Sequence, residues 1–123
     1  MTSKVLVVDD DVRFAGVIEQ ILARRGYAVR TAMDADSAMS AALAWRPAAV
    51  IVDLEMPRVD GLELCRRVRA TANAPIVVAF GSNDPLSEVM ALDAGADDYI
   101  GEPFKAQELP ARMRAGLKRR ARA

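Results

Sequence analysis

Three short runs, Lys4–Val8 (KVLVV), Ala48–Val52 (AAVIV) and Pro75–Phe80 (PIVVAF), are rich in β-branched residues with no polar interruption inside the apolar stretch. A strand wetted on one face alternates apolar and polar side chains, so runs like these belong to strands covered on both faces. Between them the apolar spacing becomes helical. Val12, Ala15, Val17, Ile18, Ile21 and Leu22 predict a helix over Val12–Arg25 closed by Gly26, and Tyr27–Thr31 a second strand. Asp34–Arg46 predicts an alanine-rich helix capped by Asp34 or Asp36 and stopped by Pro47. Helices follow over Leu62–Thr71 and over Pro85–Ala94, the second stopped by Gly95. Tyr99–Ile100 belongs to a fifth strand and Gln107–Arg120 forms the last helix. Pro110 fits that helix if its regular turn starts near Leu109. Five strand–helix units predict an α/β fold: a (βα)5 doubly wound five-stranded parallel sheet with helices on both faces, a three-layer sandwich.

Residues 1–123 are expected to form one domain, whose core is aliphatic because aromatics make up only 5% of the chain. Lys+Arg and Asp+Glu balance at 17 each. Bulk charge therefore predicts no polyanionic partner, and with no reading helix no direct nucleic-acid binding is expected. The absence of histidine excludes Ser-His triads and histidine metal ligands. Cys65, alone and among apolar neighbours, predicts a buried reduced thiol. No apolar run approaches the roughly 20 residues a membrane span needs, and a cytoplasmic protein is expected.

In a sheet of this kind ligands bind at the carboxyl ends of the strands. Those ends carry Asp9, Asp10 and Asp11; Asp53; Phe80, Gly81 and Ser82; and Gly101, Glu102 and Pro103. Carboxylates gathered in one crevice repel each other and call for a cation, and an all-oxygen set suits Mg²⁺. A flavodoxin-like cofactor would need a glycine-rich turn with free N–H groups, whereas the first turn here is DDDV. Asp11 is expected on the cap side of the first helix. Tyr99 suits a half-buried sheet aromatic, and Asp97 and Asp98 suit loop carboxylates or ion-pair partners.

VLVVDDD, VDLEMPRVDG and GADDYIGEPF, in this order and spacing, resemble the three signature stretches of response-regulator receiver domains. The likeness covers essentially the whole chain and implies the flavodoxin/CheY-like fold. By that resemblance Asp53 is the phosphoacceptor, and Mg²⁺ is held by Asp9, Asp10, Asp53 and the backbone carbonyl of Glu55. Tyr99 is the switch aromatic, Glu102–Pro103 a cis peptide, and the phosphodonor a partner histidine kinase.

Two residues depart from the family pattern. Phe80 stands where receivers carry a Thr or Ser hydroxyl, and Glu102 stands where they carry Lys. Ser82 and Lys105 are the nearest substitutes. Two like charges about 4 Å apart cost about 4 kcal/mol at an effective dielectric of 20, which opposes a phosphorylated state. The expectation is an atypical receiver, with a phosphorylation-independent pseudo-receiver as the alternative. In receivers attached to winged-helix (OmpR-like) DNA-binding domains, the face of helix four, strand five and helix five pairs two copies. Asp97, Asp98 and Glu108 against Arg112 and Arg119 suit such a homodimer. A hydrolase passing through an aspartyl phosphate would need a general acid, which Glu55 could supply, and a phosphate-binding cation, which is missing. A non-enzymatic signalling module is expected.

Overall fold

The computed structural model describes residues 3–57, 59–80, 85–102 and 104–122, with the backbone alone at positions 80, 85, 86 and 120–122. The strands are β1 (Lys4–Val8), β2 (Ala28–Ala32), β3 (Ala49–Asp53), β4 (Ile76–Phe80) and β5 (Asp98–Gly101). The helices are α1 (Val12–Ala23), α2 (Ala35–Ala44), α3 (Gly61–Thr71), α4 (Pro85–Asp93) and α5 (Glu108–Arg122). All strand pairs are parallel, in the order β2-β1-β3-β4-β5. The doubly wound α/β expectation is met. Among the described residues no helix is long and apolar enough to cross a membrane.

Alternate residues of the central strands feed two cores. Leu6, Val8, Val50, Val52, Ile76 and Val78 pack on one side with Ala38 and Met39 of α2, Leu64 and Val68 of α3, and Ala91 of α4. Val5, Val7, Ile51, Val77 and Ala79 pack on the other with Ile18 and Leu22 of α1 and Leu109 and Met113 of α5. This two-sided burial is why the strands carry no polar residue before their ends. Cys65 lies fully buried in the first core, and burial pushes its thiol up to about 12, so it stays a neutral apolar filler.

Element ends differ from the sequence expectation by a residue or two, with local causes. β2 starts at Ala28 because the Tyr27 N–H turns back to the Leu22 carbonyl (3.2 Å) while Ala28 pairs with Ser3 (2.9 Å). Asp34, not Asp36, caps α2, accepting from the Ser37 N–H at 2.7 Å. That helix stops at Ala44 rather than Arg46. Pro47 disfavours the α region before it, and Arg46 takes φ 54 instead. α5 starts at Glu108, so Pro110 falls in the first turn, where its missing N–H has no intrahelical partner to lose.

Asp97 is not a solvated loop carboxylate. It accepts the Ile76 N–H (2.8 Å) and a guanidinium N–H of Arg69, whose other donors reach the carbonyls of Ala74 (2.8 Å) and Gly95 (3.1 Å). One cation thus ties α3 to both loops that lead into β4 and β5. Arg69→Ala leaves those acceptors short of donors in a part-buried site, and unfolding in urea should show a loss of about 3 kcal/mol.

Candidate functional site

The ladder brings the chemistry together. β1 and β3 are neighbours, so Asp9, just past Val8, and Asp53, last in β3, emerge side by side at the carboxyl end of the sheet. α1 and α3 leave these two strands toward opposite faces, which opens a crevice at the reversal of strand order. Both carboxyls are almost fully covered, at 1% exposure for Asp9 and 9% for Asp53.

Each is oriented by a backbone donor two residues on. Asp9 Oδ1 accepts the Asp11 N–H at 2.9 Å, and Asp53 Oδ1 accepts the Glu55 N–H at 2.8 Å. Asp9 Oδ2 is buried with no hydrogen-bond partner. Burial, with the charges of Asp53 and Asp11, pushes the Asp9 carboxyl up from 3.8 to about 7 despite the Asp11 N–H. Gly61 lets α3 begin against the crevice. A Cβ there would meet Leu54 Cδ2 at 2.8 Å and the Asp53 carbonyl at 3.2 Å.

Asp10 and Asp11 separate from Asp9. Asp10 is half-buried and lines an open cleft with Met33, Asp34, Ala35 and Val59. Asp11 caps α1, accepting from the N–H groups of Arg13 (3.0 Å) and Phe14 (3.3 Å), as expected. Glu55 is exposed, and its backbone lies two residues beyond Asp53. Among the described residues no three acidic or thiol side chains form a ready metal-ligand set. An ion here would have to draw together carboxylates that are not yet clustered, with a carbonyl and water.

Glu102 follows β5 and is half-buried, with Oε1 enclosed and unpartnered. Burial first, then the charges of Asp53, Glu55 and Asp11, push it up from 4.5 to about 7. Phe80 ends β4 opposite Gly101, one residue past the Ala79–Asp53 pair. Its side chain, and Gly81, Ser82 and Pro103 with the expected cis peptide, lie outside the described residues. Lys105 is exposed beyond Glu102. Tyr99 is half-buried opposite Val78.

The acid–base residues suggested for a dimer face pair within this chain. Asp98 meets Arg112 at 3.1 Å and Arg119 at 3.6 Å, Arg112 also lies 3.6 Å from Glu108, and Asp97 is held by Arg69. Arg69 had no sequence signal. Its partners are backbone carbonyls and an acid 28 residues away.

The profile of the response regulator receiver domain matches residues 5–114. The chain belongs to the response-regulator receiver family. It is 44% identical over 120 residues to the response regulator MprA of Mycolicibacterium vanbaalenii and 43% to that of Mycobacterium bovis. In each case the match covers 97% of this chain and 52% of the relative, so the chain spans about half their length. Among solved structures, a putative response regulator from Chloroflexus aurantiacus superposes with a TM-score of 0.90 at 35% identity, covering 96% of this chain and 99% of that one. The receiver domain of NtrX from Brucella abortus gives 0.88 at 34%, covering 93% and 98%. A CheY-like receiver from Methanospirillum hungatei, at 24% identity, shares the fold with a TM-score of 0.90, covering 99% and 98%.

The raised Asp9 carboxyl has a consequence for stability. Below about pH 4 it is neutral in folded and unfolded chains alike. As the pH rises toward 7 the unfolded chain ionises freely while the folded chain resists, so this contribution to stability is lost across that window. Glu102, raised in the same way, adds to the loss. Denaturation midpoints in chelator should therefore fall from pH 4.5 to 7.5, and Asp9→Asn should make the fall shallower without removing it.

Proposed function

We propose that this receiver keeps Asp53 in the phosphoryl-accepting position but opposes a stable phosphorylated state, and that it signals through protein contact with little help from phosphate. The observation that carries this reading is Glu102: a half-buried carboxyl with one oxygen enclosed and unpartnered, close enough to Asp53 that the Asp53 charge opposes its ionisation. A phosphoryl group on Asp53 would bring more negative charge to that neighbour. Phe80, at the end of β4, has no hydroxyl to donate in compensation.

The transfer chemistry itself is simple. Asp53 Oδ1 is occupied by the Glu55 N–H, which leaves Oδ2 as the attacking oxygen. From a histidine kinase's phosphohistidine, the P–N bond would break as the P–O bond to Asp53 forms, with the imidazole leaving. Val12 and Met33, exposed apolar side chains beside the acids, suit a docking rim for such a partner. Asp9, Asp10, Asp53 and the Glu55 carbonyl are the residues that would hold Mg²⁺. The partnerless Asp9 Oδ2 fits a cation, which when bound supplies positive charge against the transferring oxygens.

On this reading residues 1–123 act as one cytoplasmic, non-enzymatic receiver domain. It would serve a winged-helix transcription regulator, and two copies would meet through α4, β5 and α5. Tyr99 would then act as a packed sheet aromatic rather than as a phosphate-driven switch. For dimerisation, the pairs of Asp98 and Glu108 with Arg112 and Arg119 would exchange partners between copies.

Intact mass after incubation with acetyl phosphate and Mg²⁺ tests the proposal. Little or no phosphoryl adduct is expected on the wild type. Glu102→Lys with Phe80→Thr should raise the adduct at least tenfold, equivalent to about 1.4 kcal/mol, and Asp53→Ala should abolish it. A near-stoichiometric, Asp53-dependent adduct on the wild type would instead make this a phosphorylation-driven receiver.

A further inference from the structure

The chain is neutral in sum, but the fold separates the signs. Each helix runs back against the strands, so the connecting segments sort to two ends of the sheet. Segments that follow strands carry Asp9–Asp11, Asp34, Asp53, Glu55, Asp60 and Glu102. Segments that lead into strands hold a single acid among the described residues, Asp97, which Arg69 engages. Of the acids on the adjoining element ends, Asp98 is paired with Arg112 and Arg119, and Asp93 is exposed at the end of α4.

That second end carries Lys4, Arg24, Arg25, Arg46 and, near the end of α5, Lys118, all exposed. Among the described residues none of these five forms an ion pair with a carboxylate. Part of the set is held in place. The Lys4 ammonium donates to the Trp45 carbonyl at 3.1 Å, and φ 54 at Arg46 fixes how that side chain leaves the backbone. An open cleft of about 500 Å³ lies beside Arg46, Asn73 and Leu117 at the same end.

Basic residues at helix carboxyl ends have an ordinary explanation, because they offset the helix dipole. A helix end presents only about half a negative charge, however, whereas α1 alone ends in Arg24 and Arg25, two full positive charges. The surplus remains as surface potential. Zero net charge argues against a polyanionic partner only when charge is summed without regard to position.

We propose that this basic end, opposite the acidic crevice, binds the phosphate backbone of a nucleic acid without sequence preference. The cations come from separate elements spread across the end, so an extended polyphosphate can reach several where a single phosphate reaches few. Arginine predominates, and its planar fork matches phosphate. No described element projects from this end to enter a groove, so backbone contact is the mode available. Two other polyanions fit less well. An anionic membrane would be gripped by apolar insertion, and the large apolar side chains exposed near this end, Leu43 and Leu92, stand singly on two separate helices rather than as one insertion patch. The acidic crevice of a second copy would make a head-to-tail contact, which builds rings or filaments rather than the much commoner two-fold dimer. The proposal is independent of whether Asp53 accepts phosphate.

Fluorescence anisotropy with a labelled 20-base-pair DNA duplex of arbitrary sequence, between roughly 20 and 200 mM salt, is the test. Binding should weaken with a log–log salt slope of about −3 to −4. Arg46→Glu and the pair Arg24→Gln/Arg25→Gln should each lower affinity at least tenfold, with unchanged circular dichroism. Arg13→Glu, an equal charge change to Arg46→Glu at the opposite end, should have a much smaller effect. The proposal is overturned by no salt-dependent binding, or by equal losses for Arg46→Glu and Arg13→Glu. Preferential capture by phosphatidylserine vesicles would also overturn it, as would salt-sensitive self-association in sedimentation without DNA.

Discussion

The burial of two carboxyls against each other is the constraint around which this molecule is arranged. Asp9 and Asp53 stand at the ends of adjacent parallel strands because β1 and β3 pair in register, and the helices that leave those strands close over them. Each carboxyl receives one backbone donor, and Asp9 keeps an oxygen with none. Hydrophobic packing on both sheet faces supplies the stability that lets the fold tolerate this arrangement. The turns after β1 and β3, the cap on α1 and the glycine at the start of α3 follow from it.

Glu102 changes what such an arrangement can do. With a cation at that position the crevice would be partly neutralised from within the chain, and an added phosphoryl group would find an attractive partner. With a carboxyl there the crevice gathers a third acid beside Asp9 and Asp53, and its burial there pushes Glu102 toward the neutral form. The receiver framework is intact in strand order and register, and on the proposed reading the electrostatic element that would make phosphate a stabilising ligand is reversed at Glu102.

Strand positions were legible from sequence because a fully buried parallel strand favours β-branched and other apolar residues, and KVLVV and AAVIV carry no polar residue past Lys4. Boundaries were less so. Tyr27, Arg46 and Ala94 left their expected elements because a helix-ending hydrogen bond, a following proline and a closing turn acted on single residues. Within the acid run DDD, the sequence singled out Asp11 as a cap but could not rank Asp9 and Asp10. Which carboxyl turns inward depends on how the chain leaves β1, and the Asp9 N–H still bonds the Ala32 carbonyl at 3.0 Å. Arg69 was silent, since most of its partners are carbonyls that any residue could have provided.

By itself the sequence determined the fold class, the family and the identity of the unusual residues at the ends of strands four and five. These rest on side-chain type and short-range spacing, which a linear chain displays in full. Only the tertiary structure decided that Asp9 is the enclosed carboxyl facing Asp53 and that Glu102 is turned into the same crevice. It alone also decided that Asp98 is paired within its own chain, and that a neutral composition is divided into an acidic and a basic end. Those outcomes depend on which distant segments the parallel crossovers bring side by side, and on how much water each carboxyl loses there.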